Sequence, residues 1–163
     1  MKTRNMAYAL TAVAGRQVLV AVHTKAAPSD EEWTGWTELL ERQAKAHAWD
    51  LGRFPNFVIT DGGAPSMSQR TAVNVLISQA KTYPAVAIVT GSAIVRTLVR
   101  AFSIFNPRIN VFAPADIGRA VEHVGFSSAE IPVLLGACSK LEAETLRPGA
   151  VETLGALARV RPA

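Results

Sequence analysis

The chain has few residues from which to build specialised chemistry. Of its 163 residues only Cys138 is a cysteine, so no internal disulfide can form, and His23, His47 and His123 are its three histidines. No Cys/His cluster carries zinc-ligand spacing, which excludes a structural zinc module, and the lone thiol suits a reducing compartment. Charged residues make up only 18% of the chain, and no low-complexity run or Gly/Ser/Pro-rich linker divides it. No apolar stretch reaches the ~18 residues of a membrane-crossing helix, because Arg, Lys, Asp or Gln interrupts every long run. Lys2 and Arg4 precede an apolar stretch, but it runs on into another strand-like segment instead of a cleavage site, so a secretory signal is not expected and the cytoplasm is. What the chain does have is apolar residues, 49% of the total, with a mean hydropathy of +0.19. That is enough to offset the entropy of ordering one domain. It also has 17 Lys and Arg against 13 Asp and Glu, a net +4 that asks for an acidic or phosphate-bearing partner or for none.

Apolar periodicity lays out the elements. Residues 7–13 and 17–23 alternate as two strands joined at Ala14-Gly15-Arg16, a β-hairpin signal. Ser29 and Glu32 form a capping box ahead of a helix to about residue 48, with Trp33, Trp36, Leu39, Leu40 and Ala44 on one stripe. Three strand–helix units follow: strand 56–60 with helix 66–81, strand 85–89 with helix 92–105, and strand 109–113 with helix 116–124. This alternation predicts parallel strands with right-handed crossovers, and the near-continuous apolar runs Val58-Ile59, Val86–Val89 and Val111-Phe112 predict that both faces are covered. Phe102 and Phe105 are expected in the core. Ser127 and Glu130 open a helix to about residue 146, and residues 151–160 form a last short one. The fold class is therefore α/β: an N-terminal hairpin and three parallel strands in a mixed sheet, covered by helices over residues 1–126. A helical extension, residues 127–163, packs on the same domain.

Certain motifs are more specific. Val-Ile-Thr-Asp-Gly-Gly at 58–63, Pro65, Gln69-Arg70, the run from Val86 to Arg96, the run from Phe105 to Asp116, and residues 120–125 together resemble the SpoIIAA-like branch of the STAS family. The resemblance spans residues 7–126. It implies a non-catalytic bacterial signalling protein acting through protein–protein contact, like the anti-sigma-factor antagonists, whose partners are kinase or anti-sigma-type regulators. It further implies a phosphoacceptor at the start of the helix after the third strand, where Ser66 is the nearest counterpart and Ser68 the next. Taken on its own residues, Ser66 is equally a helix N-cap.

The loops Asp61-Gly62-Gly63 and Thr90-Gly91-Ser92 leave successive strands at their C-terminal ends, where open α/β sheets hold ligands. The alternative function is thus a domain holding a small anionic or lipid-like molecule between loops 61–68 and 90–92. Arg96 and Arg100, one helical turn apart, offer a cationic face to an acidic protein surface or a phosphate. A second copy of the chain is another candidate partner. Nucleic acid is not expected, since the remaining charge is scattered and no exposed aromatics interleave with it. No nucleophile, base and acid converge on one loop cluster, so no catalytic residue, metal or cofactor is assigned. Cys138 sits among Leu134, Leu135 and Leu141 on a helix and is expected to be a buried, inert thiol.

Overall fold

The computed structural model describes residues 3–102 and 106–160, with residues 98 and 100–102 described by backbone alone. Strands β1 (Met6–Val13) and β2 (Arg16–His23) pair antiparallel, from Met6 opposite His23 to Val13 opposite Arg16. Ala14 and Gly15 turn the hairpin with φ of 48° and 75°. Two positive φ values in a two-residue loop match the right-handed twist of the flanking strands.

Helix α1 (Asp30–Ala46) leads to β3 (Asn56–Thr60), α2 (Met67–Ser78) to β4 (Val86–Val89), and α3 (Ala93–Phe102) to β5 (Ile109–Phe112). The sheet order is β1-β2-β3-β4-β5, and every pairing after the hairpin is parallel. Helices α4 (Ile117–His123), α5 (Ile131–Thr145) and α6 (Glu152–Arg159) follow. Both reciprocal hydrogen bonds of the Ser29/Glu32 and Ser66/Gln69 capping boxes are present. The Ser127/Glu130 box caps a 3-10 turn instead, and α5 starts only at Ile131, with Pro132 in its first turn where a missing N–H costs nothing. The helix expected to reach residue 81 stops at Ser78, while the expectation that α3 runs to residue 105 falls on residues outside those described, as do the core expectations for Phe105 and the Phe102 side chain.

Because the strands advance across the sheet in one direction, right-handed crossovers set α1, α2 and α3 on the same face. The opposite face takes α4, α5 and α6, which join Val20, Phe57, Ile59, Ala87 and Val89 in the largest core cluster through Val121, Leu134, Cys138, Leu154 and Leu157. The C-terminal helices are thus half of the sheet's cover and belong to the same core. On the crossover face, α1 seals β1 and β2: Leu40 and Ala44 pack with Leu19, and Trp33 with Met6 and Ala21.

Cover on that face fails over the central strands. Phe57, Ile59, Ala87 and Val89 are completely buried on the α4–α6 side, whereas Val58, Val86 and Ile88 on the crossover side are only half-buried. The expectation that these strands are covered on both faces therefore holds fully on the α4–α6 side and only in part beneath α1–α3. Helix α2 has Leu76 as its only fully buried apolar residue, and α3 keeps Ile94 exposed and Val95 half-buried, so the two helices stand off the sheet where α1 does not. Among the described residues no helix is long and apolar enough to cross a membrane.

Candidate functional site

The two loops singled out from sequence do come together, and what joins them is the chain itself. The Asp61 carboxylate accepts hydrogen bonds from the backbone N–H of Glu152 at 2.6 Å and of Thr153 at 2.8 Å, the first two residues of α6. A helix N-terminus attracts an anion through its unpaired N–H groups and dipole, and here the anion is a side chain 91 residues earlier. Lys25 reinforces the joint by pairing with Glu152 at 2.9 Å. Thr153 Oγ1 bridges onward, donating to the Thr60 carbonyl and accepting from Gly91 N–H.

Other amides of these loops are used locally. Gly62 N–H donates to Thr60 Oγ1, Ser92 N–H to Thr90 Oγ1, and Val95 N–H to Ser92 Oγ. Gly62 needs its φ of 122°, and a Cβ on Gly63 would stand 2.1 Å from the Ala26 carbonyl oxygen, so the glycines allow two loops to pack. Ser66 accepts from Gln69 N–H as N-cap of α2, and its hydroxyl lies 3.0 Å from that of Ser68. Arg96 turns back on its own loop, donating to the Thr90 carbonyl at 3.0 Å. Arg100 falls on α3, with its side chain outside the described residues.

The open central strands instead floor a cavity of about 230 Å³. A single water needs on the order of 10–15 Å³ on this scale, so the space is of ligand size. Ala21, Val58, Val86 and Ile88 form its floor, and Trp33, Trp36, Val73, Ile77, Val95 and Val99 wall it from the three helices. At the C-terminal end of the strands it is bounded by His23, Thr60 and the loop 62–65; at the opposite end, by Asn56, Pro84, Asn106 and Ile109. Trp33 and Trp36 lie with ring centroids 4.9 Å apart, and Trp33 Nε1 is fixed by the Gln69 carbonyl at 2.7 Å. An apolar pocket with few polar groups is the usual form of a small-molecule site.

Among the described residues, two polar atoms of the lining residues, His23 Nδ1 and Asn56 Oδ1, are enclosed without a hydrogen-bond partner, while Asn106 is satisfied through Pro84 O and Arg108 N–H. Burial pushes the His23 imidazole down to about 4, against an opposing pull from Glu32, so the ring is neutral near pH 7. Burial also works to raise the Glu32 carboxyl, but the N–H groups of Ser29, Met6 and Asn5 outweigh it and hold the group below the usual range.

The remaining chemistry-bearing groups stand apart. Cys138 is buried and its thiol pushed up to about 12 by burial. His47 is the C-cap of α1, and His123, in the last turn of α4, meets the Arg108 carbonyl. Among the described residues no group of three or more His, Cys, Asp or Glu is placed to hold a metal ion.

The sequence reading missed His23 and Asn56 as site residues. The signal was parity: His23 shares its face with Leu19 and Ala21, and Asn56 with Val58, so each puts a polar group where the alternation calls for an apolar one.

No family model and no curated protein matches the chain. The structure is similar to that of an uncharacterized protein of the DUF3478 family from Shewanella loihica PV-4, described as having a SpoIIAA-like fold. The two share 18% sequence identity over 69% of this chain and 88% of the other, with a TM-score of 0.48.

Proposed function

We propose that this chain is a non-catalytic small-molecule binding domain that takes a largely apolar ligand between its sheet and α1–α3. The observation that supports the reading most is the half-buried state of Val58, Val86 and Ile88 on central strands whose opposite-facing residues, Phe57, Ile59, Ala87 and Val89, are completely buried. Leaving apolar surface unburied forfeits about 25 cal/mol for each Å², a cost a ligand would recover on entering. The test is titration with N-phenylnaphthylamine, an uncharged dye that brightens in apolar pockets. The wild type should bind it, and Val58→Phe and Ile88→Phe, which fill the floor, should weaken binding at least tenfold without lowering the melting temperature. Dye binding unaltered by both fillings would overturn the reading.

A second reading, contact with a kinase or anti-sigma-type partner, is favoured by Met67 and Ile94. They are 75% and 74% exposed in the first turns of α2 and α3, and Met67 lies between Ser66 and Ser68. An apolar surface next to two hydroxyls suits a contact that a phosphate would break. Incubation with bacterial extract and ATP followed by phosphosite mapping should then find phosphate on Ser66 or Ser68, and unmodified serines would remove the switch.

A further inference from the structure

The sheet has two edges, and they differ in kind. At one, β5 is four residues long, and Arg96, Asn110, Asp116 and Arg119 line the groove along it. At the other, β1 runs for eight residues, Met-Ala-Tyr-Ala-Leu-Thr-Ala-Val, with no charge, proline or glycine. Short strands, charges and prolines keep an edge from pairing with another chain, and β1 has none of these devices. The hairpin ladder decides which of its backbone groups are offered. Thr24 N–H donates to the Asn5 carbonyl, and the inward-bonding pairs recur at every second residue from there to Val13 opposite Arg16. Met6, Tyr8, Leu10 and Ala12 therefore turn their N–H and C=O groups outward. The Met6 N–H is taken by Glu32 Oε1. Tyr8, Leu10 and Ala12 keep both of theirs, with no partner for them among the described residues.

We propose that this edge pairs with β1 of a second copy of the chain, antiparallel about a two-fold axis at Leu10, joining two five-stranded sheets into one. In that register Leu10 exchanges both bonds with Leu10 of the other copy, and Tyr8 does so with Ala12, so every free group of the three residues is used. An axis at Ala9 would draw the occupied Met6 N–H into the ladder, and an axis at Thr11 would draw in Ala14, which the turn holds at a φ of 48°. Charge favours the same axis. Helix α1 climbs beside β1: Glu32 holds the Met6 N–H, Gly35 lies against the Tyr8 hydroxyl, and Leu40 packs with Leu19, the register partner of Leu10. From Glu32 to Leu40 the helix rises ~12 Å, and from Met6 to Leu10 the strand rises ~13 Å, so the two keep step. Glu38 and Arg42 follow Gly35 on the face of α1 turned to the edge; both are exposed, and neither is in an ion pair among the described residues. Burial raises the Tyr8 phenol, and Arg4, Glu38, Glu32 and Arg42 lie near enough to act on it as charges. Leu40 stands midway between Glu38 and Arg42, so an axis at Leu10 sets Glu38 of each copy opposite Arg42 of the other. A two-fold contact closes on itself, which ends growth at two copies.

Sedimentation equilibrium of the full chain over a concentration series tests the pairing. The mass should rise from 17.4 kDa to about twice that value and no further. Ala12→Pro removes an outward N–H at a position where an edge strand tolerates proline. It should raise the dimer dissociation constant about tenfold or more, because the axis loses the bond twice, while near-ultraviolet circular dichroism stays unchanged. Glu38→Arg sets like charges opposite each other and should weaken the dimer about tenfold as well; adding Arg42→Glu to it should restore the constant to within about threefold of the wild type. These two positions lie on the exposed side of a helix, so they decide the matter even if the proline variant does not fold. A chain that stays monomeric at every concentration overturns the proposal. So does a dimer that Glu38→Arg leaves unmoved, because its copies would then meet on another surface.

Discussion

Replacing Asp61 by alanine should loosen α6 specifically, and the size of the effect follows from two hydrogen bonds. The carboxylate is the acceptor for the first two N–H groups of the helix, at 2.6 and 2.8 Å, and no side chain of α6's own N-terminal residues replaces it. Removal of an N-cap costs about 0.5–2 kcal/mol, and hydrogen bonds to a charged group are at the stronger end. The site is half-exposed, which holds the sum to about 2 kcal/mol for Asp61→Ala; Asp61→Asn, which keeps one acceptor oxygen, should cost about 1 kcal/mol. For a chain of this length each kcal/mol moves the melting temperature by about 2–4 °C, so the alanine variant should melt about 4–8 °C lower. Thermal and urea unfolding give the total. Hydrogen exchange gives the location: protection should fall over residues 151–160, whose Val151, Leu154 and Leu157 are almost fully buried, before it falls in β1 or β2. A loss below about 0.5 kcal/mol, or exchange that rises evenly across the sheet, would refute the cap as described.

Acid should destabilise the protein through His23. Its native value of about 4 lies below an unfolded value of about 6.5, so the unfolded chain takes up the proton first as pH falls. Stability is then full above pH ~6.5 and declines down to pH ~4 by about 3 kcal/mol; urea midpoints across that window should show the slope, and His23→Phe should flatten it. A slope that persists in His23→Phe would assign the acid sensitivity elsewhere. Cys138, buried and raised to about 12, should resist a disulfide-forming thiol reagent at pH 8 in the native protein and react fully once urea unfolds it. Prompt labelling of the native form would contradict its burial.

The elements that sequence revealed are those whose causes are local. The capping boxes at Ser29 and Ser66 and the Ala14-Gly15 turn each depend on neighbours within a few residues, and all three are in place. The site was harder to read because its causes are not local. Val58 and Ile88 have the same apolar character whether a helix sits on them or stands away, and only the thin apolar contact of α2 and α3 decides it. Likewise Asp61, at a strand end before two glycines, looks like a ligand loop until α6 arrives from the far end of the chain. The net charge of +4 is similarly dispersed: Arg96 folds onto its own loop, Arg108 onto the Tyr83 carbonyl, and Arg119 lies 3.8 Å from Asp116.

The joint between Asp61 and α6 also sets an order on the ribosome. At about 5–20 residues per second, the 91 residues between Asp61 and Glu152 take about 5–18 seconds to synthesise. Through that interval the nascent sheet exposes Val20, Ile59 and Val89 on the side that α5 and α6 will later cover. Folding of this chain therefore waits on its last helices, and a stalled or truncated translation product would present chaperones with an unsealed apolar sheet.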